Sequence, residues 1–210
     1  MKIIEPNWKW NSKLTNRTST DYIVLHHADA KVCSETDIDR WHKQKGWSGI
    51  GYHFFVRKDG TVYRGRPLMT TGAHVSGSNS ISIGICAEGD YSKESTMPAT
   101  QFNAIGELVV YLKEVFPKAK VVGHGEIGAS SCPGRFYPLN ELKNYKKTED
   151  NEMAEQIYNW TTACPEWSRP YVQKALDMGI IRGDENGNLN LTDTKIWCLV
   201  ITLRVAGVMK

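Results

Sequence analysis

One glycine-rich loop and one apolar run constrain this chain more than anything else in its sequence. The loop, GHGEIGASSC, sets His124 and Cys132 eight residues apart, a spacing that suits two ligands on one metal-binding segment. Zinc is the natural guess, since it takes imidazole nitrogen and thiolate sulfur readily. Two ligands do not make a site, so a third has to arrive from elsewhere. The best donor is His26, which ends the apolar run Tyr22-Ile-Val-Leu25 and is followed by His27. A strand holds its last residue rigidly at the sheet edge, where active sites of α/β proteins lie. Three ligands with an open fourth position make a catalytic rather than a structural zinc pattern. The alternative is that lone His and Cys residues are simply packed in place.

The rest of the first 147 residues supplies a scaffold. Residues 1–20 read as an irregular arm whose tryptophans pack onto the body. Ser34 with Asp37 forms a helix start, and the helix runs from about Glu35 to Lys45, burying Ile38, Trp41 and His42 and stopping at Gly46. Two β-rich runs, Gly51–Val56 and Thr61–Arg64, flank Asp59-Gly60 and predict a hairpin. Ser80–Glu88 alternates as a further strand. Apolar positions from Phe102 to Val115 recur at helical spacing, with Pro98 near the start and Pro117 past the end. Lys120–Gly123 is a short strand that delivers His124, and Pro138–Tyr145 a closing helix. Strands alternating with helices predict an α/β domain with a mixed central sheet flanked by helices.

A composition of 40% hydrophobic and 23% charged residues is that of a globular protein. Charge is uneven: residues 1–147 carry 20 basic and 14 acidic side chains, and residues 148–210 six and nine. A basic first part suits a polyanion such as bacterial wall or nucleic acid, or is plain solvated surface. The N-terminus lacks the apolar core of a signal peptide, and no stretch reaches the roughly 20 apolar residues of a membrane span. Synthesis in the cytoplasm is expected, with a separate exit route for work outside it. The cysteines (Cys33, Cys86, Cys132, Cys164, Cys198) are odd in number without close paired spacing, and with no export signal reduced thiols are the default, four of them as core fillers.

Residues 148–163 read as a polar linker and 164–210 as a small helical module. Tyr171–Met178 and Thr192–Val205 are its helices; the second is too apolar to stand alone and must pack on the first or on another subunit. Between them GDENGNLNLTD lacks the glycine and closing glutamate of a calcium loop and reads as a turn.

YIVLHHADA, RWHKQKGWSGIGYHFFVRKDGTVYRGRP, GAHVSGSNSISIGIC and VVGHGEIGASSCPG occur in an order that resembles the zinc N-acetylmuramoyl-L-alanine amidases. These are the amidase-2 enzymes, a group shared by phage lysozymes of the T7 type and peptidoglycan recognition proteins; the likeness spans about residues 20–140. It implies zinc on His26, His124 and Cys132, the set reached above, with His27 structural or, in reversed roles, the ligand. It implies cleavage of the amide between N-acetylmuramic acid and the L-alanine of the stem peptide.

The same resemblance puts Tyr52 at the family's active-site tyrosine, which holds water or donates to an oxyanion; the alternative is a buried tyrosine with a satisfied hydroxyl. Enzymes of the T7 type carry a catalytic lysine two residues before the ligand cysteine. Here that position is Ser130, which can donate a hydrogen bond but no charge, as in the catalytic recognition proteins. Glu88 is a candidate base and Glu126 a brace for the His124 loop. His74, Asn79 and Arg66 fall where the family lines its peptidoglycan groove. The tail resembles part of an S-layer-homology repeat, which implies attachment to cell-wall polymer or homodimerisation. The expected protein is a peptidoglycan-degrading zinc amidase, a phage or prophage endolysin or a host autolysin of Gram-positive type. The main rival is a non-catalytic peptidoglycan-binding protein on the same fold, against which Cys132 argues. A nucleic-acid-binding zinc protein lacks both a four-ligand set and a basic aromatic cluster.

Overall fold

The computed structural model describes residues 2–146, 161–185 and 187–209. The chain forms two compact units, Met1–Lys147 and Thr148–Lys210. In the first, β1 (Ile3–Ile4), β2 (Tyr22–His27), β3 (Phe54–Val56), β4 (Val62–Arg64), β5 (Ser82–Ala87) and β6 (Lys120–Gly123) make one sheet. Their order is β1-β4-β3-β5-β2-β6. The β3–β4 hairpin is antiparallel and every other pairing is parallel, so the sheet is mixed, as expected.

The central position of β2 follows from its residues. Ile23, Val24 and Leu25 are fully buried in succession, the near-continuous apolar run of a strand covered on both faces. Each such side chain contributes about 1.5–3 kcal/mol relative to exposure. Phe55 of β3 and Cys86 of β5, partners in register, pack with Cys33, Ile38 and Ile50. Ile38 belongs to α1 (Glu35–Gln44), whose start is the expected reciprocal cap: Ser34 Oγ accepts from the Asp37 amide at 3.1 Å and Asp37 Oδ2 from the Ser34 amide at 3.0 Å. Such a cap is worth about 1 kcal/mol. Against β3 and β5 lies α2 (Ala99–Val115), burying Ile105, Leu108, Val109 and Leu112.

Departures from the sequence reading are local. The arm at 1–20 contributes an edge strand, β1, parallel to β4; two residues are too few to show a period. Its tryptophans do pack on the body, with Trp8 Nε1 donating to the Arg64 carbonyl at 2.8 Å. The strand expected at 80–88 opens as a 3-10 turn, Asn79–Ile81, before β5. After β6 the chain makes a one-turn helix, α3 (His124–Ile127), where a loop was expected, and the closing helix is α4 (Leu139–Lys143).

The second unit holds α5 (Arg169–Asp177) and α6 (Asp193–Val205). Tyr171, Val172 and Ala175 bury against Ile196, Leu199, Val200 and Leu203. The apolar α6 therefore packs on the first helix of its own unit. Asp184 accepts from the Asn188 amide at 2.9 Å and from Asn190 Nδ2 at 3.0 Å, so the expected turn ties itself together through side chains. Of the expected linker, 161–163 form a 3-10 turn and the rest lies outside the described residues. Among the described residues no helix is long and apolar enough to cross a membrane.

Candidate metal centre and active site

Parallel pairing of β2 with β6 sets Leu25 opposite Gly123. The residues that follow, His26 and His124, therefore emerge side by side, with ring centroids 4.8 Å apart. The Glu126 carboxylate holds α3 in place, accepting from the Gly123 amide at 2.7 Å and from Lys143 Nζ at 2.6 Å. This is the bracing role expected for Glu126. The chain returns to close the loop, with the Gly125 amide donating to the Cys132 carbonyl at 2.8 Å. Cys132 Sγ then lies 3.7 Å from His26 Nδ1 and accepts the backbone N–H of His27. One donor atom from each of His26, His124 and Cys132 falls within 4.8 Å of the others.

This donor set fits zinc. Ordinary Zn–N and Zn–S bond lengths and a tetrahedral angle put nitrogen and sulfur about 3.6 Å apart, against the 3.7 Å seen between His26 Nδ1 and Cys132 Sγ. Burial lowers the pKa of both imidazoles, so they are neutral and offer lone pairs. Burial pushes the Cys132 thiol up to about 11, with partial relief from the His27 amide, and nothing cationic in the group compensates a thiolate. A metal cation is the group that would. His26 is 1% exposed and sits at the base, whereas His124 and Cys132 are half-buried, leaving the cluster open on one side.

His27 faces another way. Its Nδ1 accepts from the Tyr91 amide at 2.9 Å, near Asp90. With Asp29 and Asp90 it forms a second close group of donors, but Asp90 is held by Lys93 at 2.7 Å and by Ser92. The geometry favours His26 over His27 for the first group.

Tyr52 stands beside the cluster, its ring centroid 5.1 Å from that of His26 and 5.5 Å from that of His42. The hydroxyl hydrogen-bonds Cys86, and burial raises its pKa well above 10, so it keeps its proton and acts as a donor. His42 is buried on α1 as expected, and it also fixes this segment by accepting the Gly51 amide at 2.9 Å. Ser130 is exposed, and its Oγ accepts the Cys132 amide at 3.1 Å, which shapes the ligand loop and leaves its hydroxyl hydrogen available.

Three of the residues expected along the groove bind the protein's own groups. Arg66 is 6% exposed and donates to the carbonyls of Ile50 at 2.9 Å and Thr71 at 2.7 Å. Asn79 Oδ1 takes the amides of His74 and Val75. His74 is 8% exposed, and its Nδ1 lies 3.0 Å from His26 Nε2. All three side chains thus have partners within the chain. The contact from His74 to a ligand was missed, because 48 residues and a change of strand separate the two. His53, read only as part of a strand, sits behind His74 at 5.7 Å between ring centroids.

Glu88 is not brought to the metal group. Its carboxylate accepts from the amides of Cys33 at 3.2 Å and Lys58 at 2.9 Å, with Arg57 Nε at 3.5 Å. It ties two loops together, and the base role expected of it has no geometric support. Glu88→Ala should therefore cost about 2–4 kcal/mol of stability by orphaning buried amides, with kcat within about twofold of the parent. Urea unfolding and activity below the unfolding transition measure the two separately. A hundredfold fall in kcat at unchanged stability would restore the base.

The family model for N-acetylmuramoyl-L-alanine amidase matches residues 16–135, which hold β2 to β6 and all three candidate ligands. The endolysin of Klebsiella phage KP32 is 34% identical over 141 residues, which make up 62% of this chain and 93% of that protein. Peptidoglycan-recognition protein SC2 of Drosophila melanogaster is 32% identical over 157 residues, covering 65% of this chain and 83% of that protein. Among solved structures, N-acetylmuramoyl-L-alanine amidase LysC from Clostridium intestinale URNW aligns with a TM-score of 0.66 and 38% identity, over 69% of this chain and 96% of its own. A family match across more than half of the sequence, on a sheet that brings the ligand residues together, establishes that this chain belongs to the N-acetylmuramoyl-L-alanine amidase family.

Proposed function

We propose that the chain is a zinc-dependent peptidoglycan hydrolase that cuts the amide between N-acetylmuramic acid and the L-alanine of the stem peptide. The observation that carries this is the convergence of His26, His124 and Cys132, with a His26 Nδ1 to Cys132 Sγ spacing that fits zinc. Zinc held there supplies a Lewis acid for the amide carbonyl and makes water nucleophilic near neutral pH. Around it, the neutral imidazoles and the sulfur hold the charge, and the half-buried mouth admits the substrate amide. Tyr52 stays protonated, and its hydroxyl, turned from Cys86, donates a hydrogen bond to the oxygen on which charge develops. Ser130 offers a second hydroxyl donor, without the charge of a lysine.

Endolysins among the relatives support the further reading that the protein lyses a host from within, made in the cytoplasm and acting on the wall after release. A Gram-positive host, expected from the sequence, belongs to the same proposal: the 38% identity to the Clostridium amidase favours it, and the 34% identity to endolysins of Klebsiella and Escherichia phages does not. For the unit Thr148–Lys210 we propose attachment to wall polymer. Trp167, 45% exposed and packed at a tilt against Trp197 with centroids 4.4 Å apart, gives it an amphipathic aromatic surface. Self-association has less behind it, since α5 covers the buried face of α6.

The test is hydrolysis of purified sacculi from Gram-positive and Gram-negative bacteria, with new amino groups and new reducing ends assayed in parallel. Amino groups without reducing ends, abolished by a zinc chelator and restored by zinc, with L-alanine as the freed terminus by mass spectrometry, are the expected result. Reducing ends would mean a glycosidase and overturn the reading. Sedimentation on sacculi with no release would favour the binding protein. In the same sedimentation assay Trp167→Ala should bind more weakly, and unchanged binding would remove the wall-attachment role.

A further inference from the structure

We propose that His74 is a positioning residue for the metal ligand His26: it accepts the hydrogen on His26 Nε2 and so keeps His26 Nδ1 as the lone pair that faces Cys132. The inference rests on the zinc reading above and adds to it a residue that touches neither metal nor substrate.

A neutral imidazole carries one N–H, and which nitrogen bears it is set by the partner of the other. His26 Nδ1 points at Cys132 Sγ, 3.7 Å away, and Nε2 at His74 Nδ1, 3.0 Å away. A nitrogen that binds a cation must be free of its proton, which places the proton on Nε2. At 1% exposure that N–H needs a protein acceptor, and His74 Nδ1 is the one in reach. It can accept only when the proton of His74 sits on its own Nε2. The far side of His74 meets that condition: it hydrogen-bonds the Ser82 backbone, and Nε2 lies 3.5 Å from Ser82 Oγ. Ser82 Oγ in turn donates to the Ser78 carbonyl at 2.6 Å, which turns its lone pairs toward His74. A carbonyl can only accept, so Ser78 fixes the direction of the whole series, with each group from His26 inward donating to the next.

The ring of His74 is also held in place. A Cβ on Gly84 would fall 2.7 Å from His74 Cγ, and one on Gly72 2.4 Å from His74 Cδ2, so both positions must be glycine for the ring to lie there. Asn79 Oδ1 fixes the backbone by accepting the amides of His74 at 2.7 Å and Val75 at 2.9 Å. Behind it His53 is locked, accepting the Gly84 amide at Nδ1, 3.0 Å, with Nε2 2.9 Å from the Thr70 carbonyl. Metal-bound histidines commonly give their second N–H to a carboxylate, a carbonyl or water. A neutral imidazole in that place fixes the orientation of the ligand without adding negative charge.

Full-length protein and its His74→Leu and His74→Gln variants test this. Leucine matches much of the volume and accepts nothing, whereas the glutamine carbonyl can accept. Three readouts are needed: zinc affinity by competition with a chromogenic chelator, the visible spectrum of the cobalt-substituted protein, and the 15N shifts of His26 in the unsubstituted metal-free chain. His74→Leu should bind zinc about 10- to 100-fold more weakly and shift the cobalt bands, His74→Gln should recover most of both, and His26 should show its proton on Nε2. Unchanged affinity and spectrum in His74→Leu, or a His26 proton on Nδ1, would overturn the proposal. The 15N measurement decides it even if neither variant folds. An unsubstituted chain that takes up no zinc would instead sink the ligand reading, a separately visible failure.

Discussion

Cys132→Ser should abolish zinc binding and wall hydrolysis while leaving the fold in place. A serine hydroxyl stays protonated near neutral pH and is a far poorer ligand than thiolate, so apparent zinc affinity should fall on the order of 10³-fold or more. Hydrolysis should fall on the order of 10³-fold with it, because the Lewis acid and the activated water are lost together. Stability of the metal-free protein should change by no more than about 1 kcal/mol. Cys132 is half-buried on a loop, its sulfur takes the His27 amide, and a hydroxyl can accept the same hydrogen bond. Metal analysis after dialysis, sacculus hydrolysis and thermal unfolding in chelator read these three quantities. A fully active Cys132→Ser protein would sink the zinc mechanism.

Tyr52→Phe should lower kcat about 10²-fold, the scale of removing one donor to an oxyanion, with zinc content unchanged and KM within a few-fold. Its ring lies 5.1 Å from that of His26 and would stay there, since packing against His26 and His42 does not need the hydroxyl. Because burial raises the phenol well above 10, Tyr52 stays protonated through the neutral range and should add no alkaline limb to the pH profile of the parent. Steady-state kinetics on soluble muropeptide, paired with metal analysis, checks this. If kcat is unchanged, the hydroxyl serves its hydrogen bond to Cys86 and nothing more.

These two experiments address residues that were legible in the sequence, and the reason is instructive. Tyr22–His27 reads as a strand because its apolar run is local, and the Ser34–Asp37 cap because both partners lie within one helical turn. The hairpin at Asp59-Gly60 is likewise a short-range pattern. His26, His124 and Cys132 could be nominated because each belongs to a run whose end can be located, and a metal needs donors of those types.

What only the tertiary structure decided depends on register and on which atom faces which. Pairing of Leu25 with Gly123 makes neighbours of His26 and His124, a fact no local pattern contains. Edge strand β1 was missed because two residues carry no periodicity. Which backbone groups Glu88, Arg66 and Asn79 hold was likewise invisible in the sequence: each side chain reaches amides or carbonyls brought near it only by the fold. His74 is the sharpest case. Its place against His26 exists because β5 runs beside β2 and carries glycine at position 84 and serine at 82 beneath the ring. By itself the sequence determined the longer elements, the family and the donor atoms available for a metal. The folded chain determined which imidazole nitrogen meets which neighbour, since hydrogen bonds of about 3 Å between residues dozens of positions apart are set by strand register and close packing rather than by composition or period.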